Sequence, residues 1–302
     1  MAAVPTILRR TTASRPTTLP WADSLAAIGP GAVPALIEGL DDPRDGPRWT
    51  AAAALGKIGP EANAAVPRLS RMTTSAQTAD RVVAAAALWR IARDRGVLPV
   101  LISSIGRAEA RDRGERYAAL DALGEIGPAA TEAVPALIHQ LSLVSETHAY
   151  QVVRVLAQIG PDAATAVEPL ERISAHSSDG SLRLAAAEAL WRITRGEEGV
   201  DALIKELQGD PRDTRRTTAL ATLSQFGPEA APAVPAIVEL LRSDPSTLGA
   251  SAAVLRRIGP PADSALPVLI EFFKDDDLIN KDEVAAAIRA IDPEAARGLG
   301  IR

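Results

Sequence analysis

Residues 126–138 read Ile126-Gly127-Pro128-Ala129-Ala130-Thr131-Glu132-Ala133-Val134-Pro135-Ala136-Leu137-Ile138. The stretch is a stop followed by a restart. Gly just past a helix end takes a left-handed conformation without a Cβ penalty, and Pro cannot continue the helix before it. Val134-Pro135 then opens a second helix, where the missing N–H of Pro falls on a position with no intrahelical partner. The phrase recurs as Ile28-Gly29-Pro30 with Ala32-Val33-Pro34-Ala35-Leu36-Ile37. Variants follow Ile58, Ile91, Ile159, Ile193, Phe226, Ile258 and Ile291, and the successive spacings are 30, 33, 35, 33, 34, 33, 32 and 33 residues. A period of this size predicts an all-α, right-handed solenoid of about nine stacked helix pairs.

Each unit follows one grammar. The first helix ends in Leu-x-x-Ile, as in Leu55/Ile58, Leu123/Ile126 and Leu156/Ile159, and the i, i+3 spacing puts both side chains on one buried face. In the second helix Val33, Leu36, Ile37 and Leu40 fit the i, i+3, i+4, i+7 template of an amphipathic helix. Asp42-Pro43, Asp210-Pro211, Asp244-Pro245 and Asp292-Pro293 fit helix starts, with Asp capping and Pro in the first turn. The first three are expected to open the next unit's first helix. At the amino end, Ala3-Val4-Pro5-Thr6-Ile7-Leu8 matches the restart, so the chain is expected to open on the second helix of a partial unit.

A longer period lies inside the short one. The third and sixth stops replace Ile-Gly-Pro with Leu88-Trp89-Arg90-Ile91-Ala92-Arg93 and Leu190-Trp191-Arg192-Ile193-Thr194-Arg195, and the ninth with Ile291-Asp292-Pro293. The spacing predicts one array over 1–302: a partial unit at 1–17, then three blocks of three units at about 18–110, 111–208 and 209–302. Trp89 and Trp191 admit two readings. They are paired aromatic anchors for a partner, or indoles that cover the inter-helix turn where Gly-Pro is absent, and packing is the more common role of Trp. Leu299 and Ile301 are expected to leave an uncapped apolar face at the end, which with the partial first unit suggests end-to-end self-association.

Apolar residues make up 47% of the chain and aromatic ones only 3%, so the interior must be built from Ala, Leu, Val and Ile. The absence of Cys excludes disulfides and thiolate chemistry and fits a reducing, cytoplasmic setting. Net charge is −5, which argues against general nucleic-acid affinity. Charge is uneven: residues 1–116 carry 16 Lys/Arg against 11 Asp/Glu, and residues 117–302 carry 17 against 27. No run approaches the ~20 apolar residues of a membrane span.

The Leu-x-x-Ile-Gly stops, the Ala-Val-Pro-Ala-Leu-Ile restarts and an Arg opening several first helices (Arg48, Arg81, Arg116, Arg183, Arg215) resemble the bacterial HEAT-like repeats of the phycobilisome-lyase, or E-Z, type. The resemblance covers residues 3–300. It implies the fold strongly and any activity weakly, because this repeat serves many functions. HEAT-like deoxyhypusine hydroxylases carry His-Glu pairs that bind iron, whereas His139, His148 and His176 are not followed by Glu. The aromatic, basic cleft of HEAT-like glycosylases is not reproduced by four Trp. Bilin lyases have no short motif to match, and a lyase-like accessory enzyme or chaperone stays open as the alternative. No catalytic residue, metal site or cofactor is assigned.

In solenoids of this type the second helices line the concave face, and the position four past the restart Pro projects outward. That column reads Glu38, Arg71, Ser103, His139, Arg172, Lys205, Glu239 and Glu271. Its middle is basic. Arg71, His139, Arg172 and Lys205 are therefore the expected contacts for a protein or acidic peptide partner. The expectation is a non-catalytic interaction scaffold, or a structural module of a larger protein.

Overall fold

The computed structural model describes residues 3–11, 19, 21–106, 113–143, 146–196, 198–209, 215–275 and 279–301. All regular structure there is helical. One helix, α1 (Ala3–Arg10), precedes nine pairs: α2 (Trp21–Ala26) with α3 (Val33–Gly39), α4 (Asp45–Ile58) with α5 (Val66–Met72), α6 (Thr78–Ala92) with α7 (Leu98–Ile105), α8 (Arg113–Ile126) with α9 (Val134–Leu143), α10 (Glu146–Ile159) with α11 (Val167–His176), α12 (Gly180–Thr194) with α13 (Glu198–Leu207), α14 (Arg215–Phe226) with α15 (Val234–Ser243), α16 (Leu248–Ile258) with α17 (Leu266–Phe273), and α18 (Lys281–Ile291) with α19 (Pro293–Gly298). This is an all-α solenoid. It forms two compact units, one of Met1–Val144 with Arg154–Asp162 and the other of Ser145–Val153 with Ala163–Arg302.

In the first unit α2, α4, α6 and α8 pack one on the next, and α3, α5 and α7 each pack on the following first helix. The second unit repeats this with α12, α14, α16 and α18, covered by α11, α13 and α17. Small residues set the separation. A Cβ added to Gly56 on α4 would lie 2.9 Å from the Cα of Ala87 on α6, so the backbones nearly touch. The Leu of each Leu-x-x-Ile is fully enclosed: Leu25, Leu55, Leu123 and Leu156 are all 0% exposed.

The Gly-Pro stops do more than end a helix. Gly59–Ala65, Gly127–Ala133 and Gly227–Ala233 are 3-10 turns that carry the chain into the second helix. Gly59 has φ 79° and ψ −145°. The positive φ matches expectation, but this ψ lies outside the left-handed helical well, in a region essentially restricted to Gly. A Cβ at Gly59 would meet nothing within 4 Å, so the requirement is purely conformational. Gly59→Ala is expected to cost about 1–3 kcal/mol. Gly31→Ala, in similarly open space without positive φ, is expected to stay within about 0.5 kcal/mol. Urea unfolding of both variants checks the pair.

At the third and sixth stops, where Gly-Pro is missing, Arg takes over. Arg93 and Arg195 both adopt φ 53°, one residue further along than the Gly stops. A non-Gly residue there is held at a cost of about 1–2 kcal/mol, and the indole one turn back offsets it. The guanidinium of Arg93 sits 5.2 Å from the Trp89 ring and that of Arg195 sits 4.3 Å from the Trp191 ring, within cation–π range. Trp191 also stacks on Phe226, with centroids 4.1 Å apart, and donates Nε1–H to Glu229 at 2.5 Å. The buried Nε1 of Trp89 has no such acceptor, because Ala129 stands three past Ile126 where Glu229 stands three past Phe226. Ala129→Glu is expected to supply the acceptor and add about 1–2 kcal/mol of stability. Thermal unfolding beside an Ala129→Gln control checks it.

The Arg residues that open first helices tie down the preceding loop. Arg48 donates Nη1–H to the Asp42 carbonyl at 2.8 Å, Arg81 to Ser75 at 2.8 Å and Arg183 to Ser177 at 2.8 Å. Each spans six residues back. In α14 Arg216 bonds the Gly209 carbonyl, and Arg215 lies 3.7 Å from Glu206. Asp80 anchors the fullest cluster: at 6% exposure it accepts from Arg48 Nε at 2.9 Å, Trp49 Nε1 at 2.7 Å and Ser75 Oγ at 2.9 Å.

Two expectations change. Asp244 caps the 3-10 turn Pro245–Thr247 that precedes α16, and α4 starts at Asp45, beyond Asp42-Pro43, so neither Asp-Pro opens its first helix directly; Asp210-Pro211 lies outside the described residues. Asp292 does cap α19, accepting from Glu294 N at 2.8 Å and Ala295 N at 3.0 Å. The carboxyl end is not an open apolar face. Ile301 folds back to donate its N–H to the Ala296 carbonyl at 3.0 Å and is 8% exposed, and Leu299 packs on the same core.

Candidate functional site: a groove across the first helices

Within the first unit, the first and fifth residues before each stop Ile lie one turn apart on one helix face. They are Lys57 and Ala53 on α4, Arg90 and Ala86 on α6, and Glu125 and Asp121 on α8. Long polar side chains beside short apolar ones make a trough. A groove of about 550 Å³ runs over α2, α4, α6 and α8 along this face. Ala22, Ala53, Val82, Val83, Ala86 and Ala122 line its apolar part.

The rim is charged and paired across helices. Lys57 donates to Asp23, joining α4 to α2. Arg90 holds Glu125 with two hydrogen bonds, Nε to Oε2 at 2.7 Å and Nη2 to Oε1 at 2.5 Å, joining α6 to α8. Such exposed pairs contribute about 0–1 kcal/mol each, so their main effect is to fix the rim's shape. Asp121 is exposed as a residue, yet partial burial of its carboxyl pushes its pKa above the ordinary value; Arg154 opposes this and Glu125 adds to it. A narrow apolar floor with an ordered polar rim suits an extended segment or a helix edge from another protein.

The residues expected from sequence lie elsewhere. Arg71 and His139 are exposed on α5 and α9 of the first unit, and Arg172 and Lys205 are exposed on α11 and α13 of the second. Every member of the column points to solvent, as its register requires. Arg172 has Glu168 one turn back at 3.9 Å. This column lies on second helices, whereas the groove lies on first helices. Trp89 and Trp191 are each 8% exposed, which leaves no indole face for a partner. The groove residues were readable in principle as outward i, i+4 pairs, but mixed charge on outward positions is what any solvated helix shows. Among the described residues no three His, Asp or Glu side chains gather as a metal site would need. No described helix is long and apolar enough to cross a membrane.

The family model for HEAT repeats matches residues 98–191 and 200–292, more than half of the chain. The chain belongs to the HEAT-repeat family. Among solved structures this HEAT array is similar to the Escherichia coli protein YibA, with a TM-score of 0.56 and 18% identity over 89% of this chain and 94% of that one. It is also similar to yeast importin-beta (Kap95p), with a TM-score of 0.57 and 14% identity over 89% of this chain and 41% of that one. The CpcE–CpcF complex of phycocyanin lyase from Nostoc sp. PCC7120 aligns at a TM-score of 0.48 and 22% identity, over 86% of this chain and 94% of that one. No curated protein matches the sequence.

Proposed function

We propose that this HEAT array is a protein-interaction scaffold whose first unit holds a peptide segment of its partner in the groove across α2, α4, α6 and α8. The observation that carries this reading is the combination of an apolar floor about 550 Å³ in volume with a cross-braced polar rim. A pre-formed site of this kind loses little entropy on binding. Importin-beta-like solenoids, whose fold this chain shares, are consistent with a binding role for stacked helices. The test is a random-peptide selection on the whole chain, followed by affinity measurement on Ala86→Arg, which fills the middle of the floor. Selected peptides are expected to bind Ala86→Arg at least tenfold more weakly, about 1.4 kcal/mol. Equal affinity would reject the groove.

A second reading rests on the exposed column of the second helices. Among the described residues Lys205 makes no ion pair, and Arg172 has only the distant Glu168 carboxylate, so both cations are open to an acidic peptide. Reversing both, Arg172→Glu with Lys205→Glu, is expected to abolish binding of a poly-glutamate probe if the column is the site, and to leave groove peptides unaffected.

A further inference from the structure

We infer that the groove across α2, α4, α6 and α8 takes its partner segment as an amphipathic helix that is acidic at its middle and basic at both ends. Given that the groove is the partner site, as proposed above, its floor decides the form of the occupant. Ala53 lies inside α4, Val82, Val83 and Ala86 inside α6, and Ala122 inside α8. Backbone N–H and C=O groups there are spent along each helix axis, and these side chains carry no polar atom. The donors of the rim are engaged as well. Arg90 gives Nε and Nη2 to Glu125, and Lys57 donates to Asp23.

An extended segment on this floor would press its own backbone N–H and C=O groups against a surface that cannot answer them. Each group would give up its hydrogen bond to water without a replacement. A helix arrives with its backbone groups already paired and presents a ridge of apolar side chains. One ridge is what the floor has room for: Ala53 and Val83 are 8% and 6% exposed, and Ala86 between the rim cations is half-buried.

The rim sets the charge order of that helix. From α2 to α8 it runs Asp23, Lys57, Arg90, Glu125, that is acid, base, base, acid. Asp121, the other acid of the groove, has Arg154 beside it and leaves this order unchanged. Packed helix axes stand about 8–10 Å apart, and a helix climbs about 10 Å in seven residues. Residues a heptad apart on the occupant therefore stand over successive rim positions. The complementary order is basic, acidic, acidic, basic over about 22 residues. Exposed charges of this kind filter partners more than they hold them, so the ridge supplies the affinity and the charges supply the selection.

The probe is a synthetic peptide of about 22 residues with Lys at both ends, Glu one heptad inside each end, and a Leu ridge one turn beside the charged row. Fluorescence anisotropy follows its titration with the full chain. The matched peptide is expected to bind about tenfold more tightly at low salt than one with Lys and Glu exchanged. Lys57→Glu with Arg90→Glu should reverse that preference. A Pro at the centre of the matched peptide, which breaks a helix, should weaken binding by about tenfold or more. The Cα chemical shifts of a 13C-labelled matched peptide should move to helical values on binding. Binding that Ala86→Arg leaves unchanged removes the groove and this inference together. Binding that Ala86→Arg abolishes, but that tolerates the central Pro or the exchanged charges, overturns the acidic-centred helix and leaves the groove standing. No binding by the matched peptide overturns the inference outright, while the random-peptide selection judges the groove separately.

Discussion

Asp80→Ala is expected to destabilise the protein by about 3 kcal/mol. Asp80 is 6% exposed and its Oδ1 accepts from both Arg48 and Trp49, while Oδ2 accepts from Ser75. Removing the carboxylate leaves the Arg48 guanidinium, itself only 12% exposed at the side chain, with the half-exposed Asp45 at 2.6 Å as its remaining counter-charge and the enclosed side of the guanidinium unpaired. Breaking a buried pair from one side costs that much because the remaining charge stays desolvated. The Trp49 N–H is stranded at the same time. Arg48 also holds the Asp42 carbonyl and bonds Gln77, so the loss loosens the loop from α3 to α4 and the start of α6 together. Asp80→Asn should cost less, since its amide oxygen can still accept. Urea denaturation of both variants checks the ranking, and equal stability of Asp80→Ala and wild type would refute it.

Gly199→Ala is expected to cost about 2–3 kcal/mol, the upper part of the range for overpacking. Its added Cβ would lie 2.6 Å from the Ala187 carbonyl oxygen and 2.8 Å from the Trp191 Cβ and backbone nitrogen. Two of those three atoms are backbone, so no side chain can turn aside. Ala65, Ala133, Ala166 and Ala233 hold the corresponding place before other second helices, each at 0% exposure. The requirement for Gly is therefore local to the approach of α13 on α12. Since Trp191 stacks on Phe226 and caps with Arg195, the displacement should also disturb the indole. Calorimetry on Gly199→Ala reads the first effect, and the difference in tryptophan emission on adding Gly199→Ala to a chain that keeps Trp191 but carries Phe at the other three tryptophans reads the second.

The fold was legible because its punctuation is chemically explicit. Gly at Gly59 or Gly259 admits a backbone that other residues resist, and Pro at Pro34 or Pro135 admits only the start of a helix, so the helix boundaries follow from residue type. The first helices end at Ile58, Ile126, Ile159 and Ile258, as the pattern requires. What residue type could not show was contact between units. Asp80 reads as an ordinary first-turn acid until α4 brings Arg48 and Trp49 to it from about thirty residues away. Arg183 reads as an ordinary helix-start Arg until α13 brings Glu206 to it from 23 residues away. The groove was illegible for the same reason. Asp23, Lys57, Arg90 and Glu125 are unremarkable singly, and they form a rim only when four first helices are stacked.

The central claim, that the first-helix groove holds the partner, is tested most directly by site-specific cross-linking. The photoreactive residue p-benzoylphenylalanine is placed at position 57, on the exposed groove rim, or at position 205, on the second-helix column, and each chain is irradiated with a selected peptide bound. The account predicts a covalent adduct from position 57 and none from position 205. An adduct confined to position 205 would contradict it.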